Sequence, residues 1–240
     1  MSARGPDGSG IILRCAVALA AAGALAGAVV TAQPSALVID DWSGARLQHH
    51  GVPPGWQAES WGRRALFDLT IVDDGGRRAL LMKSRDDRST IRKDVRGRID
   101  LKATPVLTWS WKVVALPPGG DARRWETTDQ AAQLYVAWER FPSLLRSRVI
   151  GYAWDSSVPA GTIVPSQKTS TVTYVIVRSG PAELGHWLTE RRNVAEDYRR
   201  IFGEGPDRPA AVSLSIDSND THSSAEALFG AISFVRAGPQ

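Results

Sequence analysis

The chain is poor in cysteine. Its single cysteine is Cys15, which excludes an intramolecular disulfide and leaves a folded domain dependent on its core. Histidine is scarce too. His49, His50, His186 and His222 are the four, and no two have the spacing of a zinc-binding helix. No HExxH, GxSxG, P-loop or GxGxxG occurs. The usual metallopeptidase, serine hydrolase, kinase and dinucleotide-binding classes therefore lose their sequence support, and no residue is assigned a catalytic role. The N-terminal apolar run, Cys15–Val30, is shorter than the about 20 residues that span a bilayer.

That run reads instead as a leader. Arg4 and Arg14 precede it, and it ends in Val30-Thr31-Ala32 before Gln33-Pro34. Small residues at the last and third-last positions are what signal peptidase accepts. The expectation is a cleaved signal peptide over 1–32 and a single domain over 33–240. The protein would then be exported, to the periplasm or beyond, with no transmembrane segment after cleavage. Cleavage would also remove Cys15. Over the whole chain 29 Lys and Arg face 25 Asp and Glu, a mild net charge of +4. Residues 77–102 are less even, with ten Lys or Arg against four Asp. An exported chain does not meet nucleic acid, so such a stretch faces an anionic glycan, lipid headgroups or an acidic partner, or guards a strand edge.

Most of the remaining sequence alternates with period two. In "LTWSWKV", Leu107, Trp109, Trp111 and Val113 share one face of a strand, and Thr108, Ser110 and Lys112 share the other. Four apolar side chains on one face mark a buried face. Both tryptophans are therefore assigned to the core. In "AAQLYVAWERF", Leu134, Val136 and Trp138 point one way, and Gln133, Tyr135, Ala137 and Glu139 the other. Further strands are expected over 66–72, 79–83, 149–155, 171–178, 212–217 and 230–236. Roughly eight to ten short strands with turns between them predict an antiparallel β-sandwich of jelly-roll type. One segment departs from the pattern. Val194, Tyr198, Ile201 and Phe202 follow a helical stripe. Asn193 and Glu196 make a capping-box-like start and Gly203 a stop, so an amphipathic helix is expected over 194–202.

Two features bear on a ligand. The loop "DSNDTHSSAE" is rich in oxygen, and Asp217, Asn219, Asp220 and Thr221 form a candidate calcium site. His222 and Leu228 stand where an EF-hand needs glycine and glutamate, so an Asx-rich turn is the competing account. Tryptophan is abundant, with nine residues. Trp42, Trp56, Trp61, Trp125 and Trp187 lie beside Pro, Gly or polar residues, where aromatic faces either plug the sandwich ends or stack on sugar rings.

Several stretches together resemble the DUF3047 family of bacterial exported proteins. They are "VIDDWSG", "LTWSWKV" with "LPPGGD", "DQAAQLYVAW", "GYAWDSS", "VIVRSGPAELGHWLTERRNVAEDYRRIFGE", "SIDSNDT" and "ALFGAISF". The resemblance runs from about Ile39 to Phe234. It implies a jelly-roll, galactose-binding-like sandwich whose opening and closing stretches pair as terminal strands, and it brings no catalytic residues with it. Such modules often carry an acidic calcium ligand before the last strand; Gly230 and Ala231 stand there instead.

The expected function is a non-catalytic binding module for a glycan or another envelope component. Its floor would carry Thr108, Ser110, Lys112, Gln133, Tyr135 and Glu139, flanked by Trp125 and Trp154. Arg191 and Arg192, at the unfavourable end of the helix dipole, would border the same surface as the basic 77–102 stretch. The first alternative is a polysaccharide hydrolase using two of Asp121, Glu126, Asp129, Glu139 and Asp155. The second is a structural or protein-interaction domain.

Overall fold

A computed structural model describes Met1, residues 36–59 and residues 66–238. The expected leader and Trp61 lie outside the described residues. In chain order the strands are β1 (Ala36–Asp40), β2 (Gln57–Glu59), β3 (Asp68–Asp73), β4 (Arg78–Arg85), β5 (Arg88–Asp94), β6 (Val106–Ala115), β7 (Ala132–Trp138), β8 (Arg148–Asp155), β9 (Ile163–Pro165), β10 (Val172–Ser179), β11 (Leu188–Asn193), β12 (Ala211–Asp217) and β13 (Ser224–Val235). A single helical turn, α1 (Ser143–Arg146), and a longer helix, α2 (Val194–Phe202), interrupt them.

The strands form two sheets. The first runs β11-β6-β13-β4-β3, with β1 also paired to β13; the second runs β2-β5-β12-β7-β8-β10-β9. The β1–β13 pairing matches Leu37 with Phe234, so the two ends of the fold close on each other as the resemblance implies. Pairing is antiparallel with one exception: β8 and β10 run parallel. A parallel pair needs a crossover, which here is the stretch 156–171 containing β9.

Alternation sets which face is inside. Leu107, Trp109, Trp111 and Val113 of β6 face Ile150, Tyr152 and Trp154 of β8 across the core, all buried. Trp109 lies 5.3 Å from Tyr152 and Trp111 lies 6.0 Å from Trp154, centroid to centroid. Such pairs add about 0.5–1.5 kcal/mol each beyond the area they bury. Two indole N–H groups in this core are satisfied at its margins: Trp111 donates to Glu190 at 3.1 Å and Trp154 to the Gly180 carbonyl at 3.1 Å. Trp42 and Trp56 stack on each other at 5.6 Å and are buried, closing one end of the sandwich rather than offering a surface.

Four strands were hidden in the sequence: the three-residue β2 and β9, and the longer β5 and β11. β5 (RSTIRKD) carries a single large apolar residue, Ile91, on its inner face. β11 (LTERRN) turns Glu190 inward, where Trp111 and Arg178 hold it. Neither shows an apolar alternation.

Helix α2 spans the expected residues. Asn193 Oδ1 accepts from the Glu196 N–H at 3.2 Å, and Gly203 ends the helix at φ 74°. Glu196 reaches back to the Asn193 side chain at 2.6 Å, a variant of the reciprocal cap in which the backbone N–H is not the target. Replacing Asn193 with Ala is expected to lower the unfolding free energy by about 1 kcal/mol in urea titrations. Unchanged stability would show that tertiary contacts alone hold the helix.

Candidate functional site: a groove on the outward face of the second sheet

The second sheet buries Leu134, Val136, Ile150, Tyr152, Val212 and Leu214. The alternate residues necessarily point outward. In register, Ser213 of β12 stands beside Tyr135 of β7, Tyr135 beside Gly151 of β8, and Gly151 beside Tyr174 of β10. Gly151 is the hinge of this row. A Cβ there would stand 2.7 Å from Tyr135 Cε1 and 3.0 Å from Tyr174 Cδ1. Both rings lie down over the bare glycine, 6.2 Å apart, and are only 6% and 5% exposed. With Ala153, Val158, Val164 and Ile176 they make a second, smaller apolar cluster on the outside of the sheet. Burial pushes both phenols above their ordinary range. Tyr135 donates its hydroxyl proton to Gln133 Oε1.

A groove of about 450 Å³ runs over these rings, and a polar recess of about 350 Å³ adjoins it. Glu59, Arg88, Thr90 and Lys168 line both. The crossover between β8 and β10 supplies one wall through Ser166, Lys168, Thr169 and Thr171. Trp125, in a 3-10 turn over Trp125–Thr127, stands at the recess 57% exposed. The Lys168 ammonium lies 5.8 Å from its ring centre.

Most charges of the groove are paired. Arg92 bridges Glu59, at 3.7 Å, and Glu139. Lys168 is held by Asp220. Burial raises the Glu59 carboxyl, and Arg92 opposes the rise. Arg88 differs. Its Nε is buried without a hydrogen-bond partner, and the nearest carboxylate oxygen, Asp217 Oδ2, is 3.7 Å away. Burial works against the Arg88 charge, but Asp217, the two tyrosines and Asp220 outweigh it and hold the guanidinium protonated. Asp217 cannot close the gap, because its Oδ1 accepts from the Gln130 N–H at 2.6 Å and from Gln133 at 2.7 Å. Burial pushes the Asp217 carboxyl up to about 7, with Asp129 adding to the rise and Arg88 opposing it.

The sequence-derived site is divided by the fold. Tyr135 and Glu139 line the groove and Trp125 its recess; Gln133 is 0% exposed, lines neither, and bonds Asp217 and Tyr135. Lys112 does not: β6 lies in the first sheet, and Lys112 is tied to Asp74 and sits 5.7 Å from the Trp187 ring. Thr108 and Ser110 share that sheet, so the single floor expected from β6 and β7 together does not form. Trp154 is 0% exposed in the inter-sheet core and flanks no ligand surface. Arg192 is held by Asp197 at 2.5 Å, and Asp197 also accepts from Tyr152 at 3.0 Å; local acids compensate the helix start. Arg191 is exposed opposite Thr108 on the first sheet. The basic 77–102 stretch is likewise split, β4 going to the first sheet and β5 to the second.

The acids proposed for hydrolysis are scattered. Asp121 is held by Arg123, which lowers its carboxyl, and Asp155 accepts three backbone N–H groups from Ala122, Ser157 and Val158. Asp129 binds Thr221 and the Asp220 N–H, and Glu126 is exposed beside Trp125. Of the five, Glu139 lines the groove. In the candidate calcium loop, Asp217 serves Gln130 and Gln133, Asp220 serves Lys168 and Asn219, and Thr221 donates to Asp129. Among the described residues no three His, Cys, Asp or Glu side chains stand close enough to share a metal ion. Sequence reasoning missed Arg88, Thr128 and Tyr174. Their strands or turns lacked a pattern that set one face apart.

The protein is a two-sheet jelly-roll sandwich with an open groove on one outward face. The family model described as "Protein of unknown function (DUF3047)" matches residues 54–233, and the chain belongs to that family. No curated protein is significantly similar in sequence. Among solved structures, the chain is similar to a family 11 carbohydrate-binding module from Clostridium thermocellum in complex with a β-1,3-1,4-mixed-linked tetrasaccharide, at 10% identity and TM-score 0.44, over 85% of this chain and 98% of that one. It is also similar to a family 30 carbohydrate-binding module of a cellulosomal cellulase of Clostridium thermocellum, at 10% identity and TM-score 0.44, over 80% and 98%. A third is a xylan-binding domain from Paenibacillus barcinonensis, at 11% identity and TM-score 0.37, over 80% and 92%. The likeness is one of outline. No helix among the described residues is long and apolar enough to cross a membrane.

Asp217 provides a test of the groove's electrostatics. Its folded value of about 7 lies above the about 3.9 of an unfolded aspartate. Between those values the folded state keeps a proton that the unfolded chain has released, so stability falls as pH rises from about 4 to about 7. Relative to Asp217→Asn, the wild type should lose up to about 1.4 kcal/mol per pH unit across that window. Urea titrations at a series of pH values give the two slopes; parallel slopes would mean that Asp217 is ionised throughout.

Proposed function

We propose that the protein is an exported binding module that takes a glycan chain along the groove of the second sheet. The observation that supports this most directly is the composition of the groove. Tyr135 and Tyr174 pack over Gly151 at its base, an exposed indole stands in the adjoining recess, and hydrogen-bonding side chains line the walls. Sugar rings present an apolar face of C–H groups and an equatorial rim of hydroxyls, so they suit a surface that is aromatic beneath and polar around. Tyr135 and Tyr174, almost fully buried, contribute a rigid base already fixed by packing. Their placement costs no further ordering when a ligand arrives. Trp125 offers the ring face that the buried tyrosines cannot. Thr90, Ser213 and Glu139 supply donors and acceptors for hydroxyls.

The export half of the proposal rests on the leader-like N-terminal sequence. The binding half is tested by calorimetry with the purified full chain against cello-, xylo-, manno- and galacturono-hexaoses. At least one should bind, and Trp125→Ala should weaken it about tenfold, the equivalent of one stacking contact of about 1.4 kcal/mol. Val114→Ala, on the outward side of the first sheet, should leave it unchanged. If no glycan of the set binds, or if Trp125→Ala has no effect on one that does, the groove is not the glycan site.

A further inference from the structure

Arg88 stands apart from the other groove-lining cations. Arg92 and Lys168 each have a carboxylate in direct contact. The Arg88 side chain is one-third exposed, makes no hydrogen bond to any described residue, and keeps its Nε buried and unpartnered. Buried polar atoms are ordinarily paired, and an exception that lines a groove is a place where a water, an ion or a ligand can complete the set. A second orphan lies in the same groove. Thr128 is 5% exposed and lines the groove, and its Oγ1 has no partner either.

Asp217 stands 3.7 Å away but hydrogen-bonds Gln130 and Gln133, so the guanidinium keeps its donors free for a ligand. A carboxylate suits those donors better than a sugar hydroxyl, because it makes charge-assisted bonds and fits the planar fork in two parallel bonds. The acids already nearby do not serve. Glu59 faces Arg92, Asp220 holds Lys168, and Asp217 is kept at 3.7 Å by its bonds to Gln130 and Gln133. Trp125 lines the same recess as Arg88, so a ring stacked on the indole would present its substituents to the guanidinium.

We propose, resting on the glycan reading above, that Arg88 and Thr128 form an anchoring subsite for the carboxylate of an acidic sugar, with Trp125 taking the ring face. The preferred ligand class is then a uronic-acid-containing glycan. Arg88 receives the carboxylate bidentately and the Thr128 hydroxyl donates to it or to a neighbouring oxygen.

The test compares hexagalacturonate with its neutral counterparts, xylohexaose and cellohexaose, on the full chain by calorimetry at fixed ionic strength. Hexagalacturonate should bind at least tenfold more tightly than either. Arg88→Gln should abolish that preference, and Arg88→Lys, which keeps the charge but loses the fork, should restore only part of it. Circular dichroism checks that both variants fold. Should Arg88→Gln not fold, Thr128→Val provides the second measurement, weakening hexagalacturonate several-fold and sparing any neutral hexamer. Equal binding of charged and neutral hexamers overturns the subsite and leaves the glycan groove standing. Binding of neither overturns both. Hexaglutamate bound as tightly as hexagalacturonate assigns the carboxylate to a peptide and overturns the sugar.

Discussion

The contact of Trp109 and Trp111 with Tyr152 and Trp154 is the constraint on which the rest of the structure depends. With no cysteine in the sandwich to cross-link the sheets, their separation and registry are set by how these rings interlock. Bulky aromatic residues at the centre of a sandwich leave few alternative packings. The indole N–H groups then need acceptors at the margins, and two are found there: Glu190 on β11 and the Gly180 carbonyl after β10. Both acceptors lie outside the apolar pattern that defines the core. The tryptophans therefore also dictate where polar groups must stand at its edge.

The same registry positions the groove. Tyr152 faces inward, so its neighbour Gly151 faces outward, where it leaves room for Tyr135 and Tyr174. Loss of one side chain on β8 thus lets two aromatic rings from flanking strands close in over the backbone, tilted 54° to each other. A polar outer face alone would be flat. The glycine makes it a shallow aromatic floor, and the crossover then raises a wall along one side.

The core was legible in the sequence because alternation is a strong signal when every second residue is large and apolar, as in β6, β7, β8 and β12. Helix α2 was legible for a similar reason, with its stripe, cap and stop all present. The paired terminal strands and the family followed from the order of several weak motifs. The site was only half legible. Gln133 and Tyr135 could be placed on a polar face, but no local signal says that β6 and β7 lie in different sheets. Lys112 and Tyr135 thus looked like neighbours and point away from opposite sides of the sandwich. Trp154 was expected to flank the site, but on β8 it alternates with Ile150 and Tyr152 onto the core face, and a ring packed against Trp111 has no second face to offer. Arg88 was one of ten basic residues in a run. What sets it apart is a guanidinium that hydrogen-bonds no described residue, with Asp217 held off at 3.7 Å, and no one-dimensional pattern carries that.

The parallel pairing of β8 with β10 has a consequence for how such a groove can be altered. The chain must travel back along the sheet between them, and residues 156–171 do so over the outside, contributing Ser166, Lys168, Thr169 and Thr171 to the wall. That wall is tied to the sheet by β9 against β10, by backbone bonds such as Val149 to Thr171 and Gly161 to Ile176, and by Val158 and Val164 in the outer apolar cluster. Doubling a flexible connection costs only about 0.6 kcal/mol in closure entropy. Between those ties, the stretch 166–171 is the exchangeable part: its length and side chains can change the depth and lining of the groove while the β5, β12, β7 and β8 ladder and the aromatic core stay in place.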